Sequence, residues 1–221
     1  MKKLFIIGAG GFGRETAWLA ERINAVSTVW EIMGFLDDNE MLHGTIQDKY
    51  PVLGGCGYLK NIEEEVYVVI AIGSAGVKKA VVDKLRGYGH IRFARLVDPS
   101  VICSERVEIG EGCIICAGTI LTTDIRIGKY VIINLDCTVG HDAVIGDYTT
   151  IYPSVNISGN VSVGERVELG TGAQIIQGKS IGDRTVLGAG AVVINDIDSD
   201  CTAVGSPAKA VKHHRAEREI N

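Results

Sequence analysis

From Ile109 onward, every sixth position of this chain is aliphatic: Ile115, Leu121, Ile127, Ile133, Val139, Ile145, Ile151, Ile157, Val163, Leu169, Ile175, Ile181, Leu187 and Val193. No insertion breaks the count between residues 107 and 194. Glycine often follows, as at Gly110, Gly128, Gly140, Gly146, Gly164, Gly170, Gly182 and Gly188. A small or β-branched residue usually stands two places before, from Val107 and Cys113 to Ala191, with Lys179 the clear exception. A helix of 3.6 residues per turn would scatter these positions around its whole circumference. The period fits a short strand with two inward side chains followed by a tight corner. That is a parallel β-helix of hexapeptides, three to a triangular coil, in about five coils.

The first ninety-odd residues follow a different pattern. The buried-strand run Lys3–Ile7 leads into Gly8-Ala9-Gly10-Gly11-Phe12-Gly13 and then an amphipathic stretch near Arg14–Ile23. Further strands are expected at Trp30–Leu36, Glu65–Ile72 and Ile91–Val97, with a helix over Val77–Arg86. Gly8, Gly10 and Gly13 satisfy G-x-G-x-x-G in a strand–turn–helix context, where backbone N–H groups and a helix N-terminus suit a phosphate. Asp37-Asp38 ends the second strand and Gly73 follows the third, all on the ligand-binding edge of a Rossmann-like parallel sheet. So short a unit makes one mononucleotide-binding half and not the two that hold a dinucleotide. The reading is therefore an α/β Rossmann-like domain over residues 1–98 and a β-helix domain over 99–221. Beyond Gly205-Ser206-Pro207-Ala208-Lys209, residues Val211–Glu219 read as a short charged tail with one or two helical turns.

Composition narrows the function classes. A net charge of −5 without a basic stripe gives no support for nucleic-acid binding. No apolar run approaches the roughly 18 residues of a membrane span, and Met1–Ile7 lacks the features of a secretory leader. The six cysteines show no disulfide framework. Cys103, Cys113 and Cys137 fall on inward positions, and Cys113-x-x-Cys116 has no second pair for zinc. Reduced thiols point to the cytoplasm.

Of five histidines, only His141 lies in the repeats, at the corner after Val139-Gly140. With Asp142 beside it, and Asn134, Asp136 and Asp147 close in sequence, it has the makings of a general base near neutral pH. A zinc enzyme on the same β-helix needs three histidines per site, which the repeats do not hold. A non-catalytic assembly module and an NAD-linked oxidoreductase remain as rivals.

The repeats resemble the left-handed β-helix of hexapeptide acyltransferases. Gly8–Gly13, Asp37-Asp38, Ala71-Ile72-Gly73, Asp98-Pro99-Ser100, Asn134, Val139–Asp142, Ile157–Val161, Leu187–Ala191 and Gly205–Lys209 together resemble one family covering nearly the whole chain. It is the bacterial sugar acetyltransferases, comprising sialic-acid O-acetyltransferases and N-acetyltransferases acting on UDP-4-amino sugars and perosamine. The resemblance implies a left-handed coil and a homotrimer with active sites at subunit junctions. It further implies His141 as base with Asp142 behind it. Acetyl-CoA would lie near Thr150, Gly159, Thr171 and Ala189. The sugar nucleotide would rest on Gly10, Gly11, Phe12, Asp37, Asp38 and Gly73, with Asn134 alongside. The acceptor would be an amino sugar linked to a nucleotide, with a sialic-acid-type hydroxyl as the alternative. Phe12 and Thr150 stand where such proteins often carry histidine.

Overall fold

The structure is a computed structural model and describes residues 1–214. Its N-terminal part is a sheet in the order β3-β4-β2-β1-β5-β6, formed by Ile46–Gln47 (β3), Tyr50–Gly54 (β4), Trp30–Leu36 (β2), Lys2–Ile7 (β1), Val66–Ile70 (β5) and Ile91–Phe93 (β6). All neighbours are parallel except β3 and β4, which form a hairpin through the left-handed Asp48. Helix α1 (Gly11–Val26) follows β1, and α2 (Ala75–Arg86) follows β5. Both parallel crossovers bury an apolar stripe, as a sheet covered by helices requires. The hairpin was not evident in the sequence, because its turn carries no glycine.

Expected strand Ile91–Val97 divides. Ile91–Phe93 stays in the N-terminal sheet, whereas Leu96–Val97 (β7) pairs with Ile114–Ile115 and begins the β-helix. An unbroken apolar run cannot reveal that its two ends belong to different sheets.

From β7 onward the chain winds through three parallel sheets, each strand pairing with the one eighteen residues later. Of the fifteen aliphatic positions, fourteen are buried, and Ile109 near the open end is half-buried. They fill the coil as one core, together with Cys113, Cys137 and Ala191. Cys103 departs from the expectation: it is exposed, because it belongs to the terminal strand of its sheet and no preceding coil covers it. Many corners carry a left-handed residue, including Asp124, Asp136, Asp142, Ser154 and Asn160, each three places after an inward aliphatic. After Val193 the period lapses, but Ile197 bridges Ile181 and Cys201–Val204 stacks on Val186–Leu187, so the coil continues in irregular form. Lys209–His213 then pairs antiparallel with Cys201–Val204. The expected helical tail is thus a strand as far as His213, and the rest of that expectation lies outside the described residues.

The three sheets give the coil three faces. The first carries Leu96, Ile114 and Ile132 outward, and these are buried beneath the N-terminal domain with Leu4, Ala17 and Leu19. The second face carries Ile102 and Ile120 outward and the third Glu108, Arg126 and Val144, all exposed. Arg22 of α1 clasps Asp98 at the join through both carboxylate oxygens, at 2.6 and 3.0 Å, and Ser100 adds its amide and hydroxyl.

Candidate active site

Three loops leave the C-terminal ends of β1, β2 and β5 on one edge of the N-terminal sheet. Strand order puts the topological switch between β1 and β5, where such sheets open a ligand crevice. The glycines divide by role. Gly8 has φ +103°, and a Cβ on it would lie 2.9 Å from Ala71 O; one on Gly13 would lie 2.0 Å from Gly8 O. These two permit the turn and the close packing of α1 on β1. Around Gly10 and Gly11 there is open space, with nothing within 4 Å of a Cβ placed on either. Phe12 is half-buried against the core behind them.

The two acidic residues reach the expected edge, but their carboxylates brace backbone. Asp37 accepts the Ala9 amide at 2.9 Å, tying β2 to the glycine loop, and its second oxygen accepts Asn39 N–H. Asp38 accepts the Cys56 amide at 2.9 Å, which together with Lys84 holds its carboxyl below the usual range.

His141 lies at the corner between the second and third faces. Its Nδ1 is 2.8 Å from Asp142 Oδ2. A donated Nδ1–H leaves Nε2 unprotonated with an open lone pair, the tautomer a base needs. Asp142 makes this contact from a left-handed backbone, φ 60°, which aspartate tolerates. The imidazole lies on Gly159, one coil further on, and a Cβ there would come within 2.5 Å of Nε2. Both side chains of the pair are more than half exposed, at 59% and 55%. Asp136 and Asp147 do not join them. Six residues carry the chain along one side of the coil, so each sits at a different corner, and Asp147 accepts the Lys129 amide at 2.7 Å instead.

The remaining predicted residues fall in three places. Asn134, Thr171 and Ala189 share the corner between the first and second faces; Thr171 and Ala189 are exposed, and the Asn134 side chain accepts the Leu135 amide. Gly159 is beneath His141. Thr150 is on the first face and only 1% exposed, so in this chain its hydroxyl meets protein and not a ligand. It donates to Gly73 O at 2.6 Å and accepts from Lys78 Nζ at 2.8 Å. Lys78 was overlooked in the sequence. It occupies the buried stripe of α2 with Ala75, Val82 and Leu85, a charged residue at an apolar position, and burial pushes its amine down to about 7. Glu168, one coil beyond Thr150, accepts the Ala75 amide at 2.9 Å and the Tyr152 hydroxyl at 3.3 Å.

The N-terminal domain covers the first face, and His141 occupies the corner opposite that face. One chain's crevice and its own His141 therefore lie on different sides of the coil. Among the described residues no group of histidine, cysteine and acidic side chains could hold a metal ion, and no helix is long and apolar enough to cross a membrane.

This architecture, a half-sheet with a glycine-loop crevice docked on a hexapeptide coil bearing one histidine corner, is matched by known proteins. Residues 3–85 match the family model of the PglD N-terminal domain, and residues 100–123 and 160–194 that of the hexapeptide repeat of succinyl-transferase. The acetyltransferase domain of PglB from Neisseria gonorrhoeae is 30% identical with a TM-score of 0.86, covering 96% of this chain and 100% of that one. PerB from Caulobacter crescentus, solved with CoA and GDP-perosamine, is 30% identical with a TM-score of 0.84, covering 96% and 98%. UDP-N-acetylbacillosamine N-acetyltransferase of Bacillus subtilis is 36% identical over 118 residues, 53% of this chain and about half the length of that relative, 52%. The chain belongs to this family of PglD-type hexapeptide-repeat sugar acetyltransferases.

Proposed function

We propose that the protein transfers an acetyl group from acetyl-CoA to the amine of a nucleotide-linked sugar, with His141 as general base. The observation that carries this reading is the His141–Asp142 contact at 2.8 Å, which directs the unprotonated Nε2 outward. The acceptor nitrogen attacks the thioester carbonyl while Nε2 takes its proton. The tetrahedral intermediate collapses, the C–S bond breaks, and the imidazolium returns the proton to the departing thiolate. Asp142 holds the tautomer and offsets the charge on the imidazolium.

Support for the substrates comes from the relatives. PerB is described with CoA and GDP-perosamine, and the PglB domain also with acetyl coenzyme A. The named activities are N-acetylations, which favours an amine over the sialic-acid-type hydroxyl. On this reading residues 1–98 hold the nucleotide, with Gly10, Gly11, Phe12 and Gly73 around it. Asp37 and Asp38 shape the crevice through the backbone. Gly159, Thr171 and Ala189 flank acetyl-CoA.

The working unit on this reading is a cytoplasmic homotrimer with shared sites. Two observations favour sharing: His141 is more than half exposed, and it faces away from its own crevice. A neighbour's crevice would supply the acceptor and the wall that excludes water. Incubation with acetyl-CoA and a panel of UDP-, GDP- and CMP-linked amino sugars, following free thiol, tests the activity. Thiol release is expected with at least one amino sugar and not with its hydroxyl counterpart; no acceptor-dependent release across the panel would refute the reading.

A further inference from the structure

The loop after β5, one wall of the crevice, bonds to the β-helix through two backbone groups, the Gly73 carbonyl and the Ala75 amide. Gly73 gives its carbonyl to Thr150 Oγ at 2.6 Å. Its α-carbon abuts Tyr152, whose hydroxyl would be 3.2 Å from any Cβ placed there. Two residues on, the Ala75 amide is held by Glu168 at 2.9 Å. Thr150 and Glu168 are register partners in the first-face sheet, and Tyr152 follows Thr150 by two residues, so all three grips come from one rigid surface. The glycine loop is braced differently, by Asp37 from within its own domain.

A threonine hydroxyl has one proton. Since Thr150 gives it to Gly73, it must receive its second bond from another donor, and Lys78 Nζ supplies that at 2.8 Å while also reaching Thr149 O at 3.3 Å. The lysine is 1% exposed, so it cannot meet a substrate. Removing the Thr150 hydroxyl takes this donor from the Gly73 carbonyl and leaves Lys78 Nζ with Thr149 O alone. Removing Lys78 leaves the buried hydroxyl one bond short, and either loss is costly enough to shift the loop.

We infer that Lys78 and Thr150 are positioning residues for the acceptor. Through the line Lys78–Thr150–Gly73 they fix the crevice wall to the β-helix, the body that carries His141. This rests on the proposed acetyl transfer to a nucleotide-linked amino sugar. An acceptor bound on one domain must be presented to a base carried by another, and a displacement of about 1 Å is enough to cost about 10² in rate.

The test combines two readouts on Thr150→Val, which keeps the shape and removes both bonds, and on Lys78→Met. Hydrogen exchange of the Ile72–Ala75 amides in the free protein reports the anchor itself. Steady-state kinetics with acetyl-CoA against GDP-perosamine and a UDP-linked 4-amino sugar report its consequence. Exchange is expected to quicken in both variants. kcat/KM for the acceptor should fall about 10- to 100-fold, with KM for acetyl-CoA within about twofold of the parent. Thr150→Ser, which retains the hydroxyl, should recover most of the loss. Faster exchange with unchanged acceptor kinetics would overturn the inference, as would a selective rise in KM for acetyl-CoA, which would make Thr150 a donor-site residue. Absence of amino-sugar acetylation by the parent protein would instead strike the proposed function, and the exchange data would still report whether the anchor exists.

Discussion

The imidazole of His141 rests on the α-carbon of Gly159, eighteen residues away in sequence and one coil away in space. No side chain fits between them. Gly159→Ala would put a methyl group 2.5 Å from Nε2 and turn the ring off its present line. The expected result is a fall in kcat of about 10- to 100-fold without loss of fold, since the glycine φ is not in the left-handed region. His141→Ala should cost about 10² to 10⁴, with KM for acetyl-CoA little changed. Steady-state kinetics on the two variants checks both figures; Gly159→Ala with parental kcat would show that the ring position is immaterial.

Asp142→Asn leaves the ring a hydrogen-bonding neighbour but no negative charge. An amide can accept Nδ1–H or donate to Nδ1, and the second choice puts the proton on Nε2 where the base is needed. Its kcat is expected between those of the parent and His141→Ala. A profile of kcat against pH displaced by less than the error from the parent would argue that the carboxylate has no part in the chemistry.

The glycine loop separates folding from binding. Gly13→Ala places its Cβ 2.0 Å from Gly8 O and should lower the melting temperature or prevent folding. A Cβ at Gly11 meets no neighbour within 4 Å, so Gly11→Val should keep the melting temperature while raising KM for the sugar nucleotide and not for acetyl-CoA. Calorimetry alongside kinetics decides. Equal losses for both substrates in Gly11→Val would contradict a phosphate cradle there.

Acid stability should depend on Asp98. Burial alone would raise its carboxyl, but the Arg22 guanidinium and the Ser100 hydroxyl and amide overcome this and hold it at about 2. A folded-state value below the unfolded one, near 3.9, stabilises the protein at higher pH, and the contribution is lost as pH falls from about 4 to 2. Arg22→Met should therefore lower stability at pH 7 and do so by less at pH 3, with Ser100 left to hold part of the shift. Urea unfolding at the two pH values measures the difference; an equal loss at both would point to packing and not charge.

Shared sites make a mixing prediction. His141→Ala chains keep an intact crevice, and Gly11→Val chains keep an intact base. At acceptor concentrations well below the raised KM each should be nearly inactive alone, yet co-refolded equal mixtures should regain activity at roughly a quarter of the sites if subunits mix at random in a trimer. Proven mixing without recovery would place crevice and base of each site in one chain.

The β-helix was legible because its period is strict: the inward aliphatics and the corner His141–Asp142 needed only a count of six. The crevice loops were legible from strand–glycine–helix order. The contacts that organise the site were less so. Nothing in the order of residues says that Asp37 spends its carboxylate on Ala9, or that Asp136 and Asp147 stand at corners away from His141. Thr150 read as a ligand contact, yet its partners Gly73 and Lys78 lie more than seventy residues upstream. Lys78 did leave a trace, as a charge inside an apolar stripe. What that charge would face depends on how the two domains dock, and no local pattern encodes docking.

The register of the coil has a consequence for how such a protein changes over time. Neighbouring strands of a sheet are about 4.8 Å apart, so residues eighteen apart in the chain become adjacent marks on a ruler. An extended molecule laid along one corner touches Thr171 with one segment and Ala189 with the next. Each segment is read by a residue remote in sequence from the others and held by its own backbone rung. A substitution at one mark can thus adjust the grip on one stretch of the molecule and leave the rest as they were. Adding or removing eighteen residues would lengthen or shorten the ruler by one mark without turning any inward side chain outward.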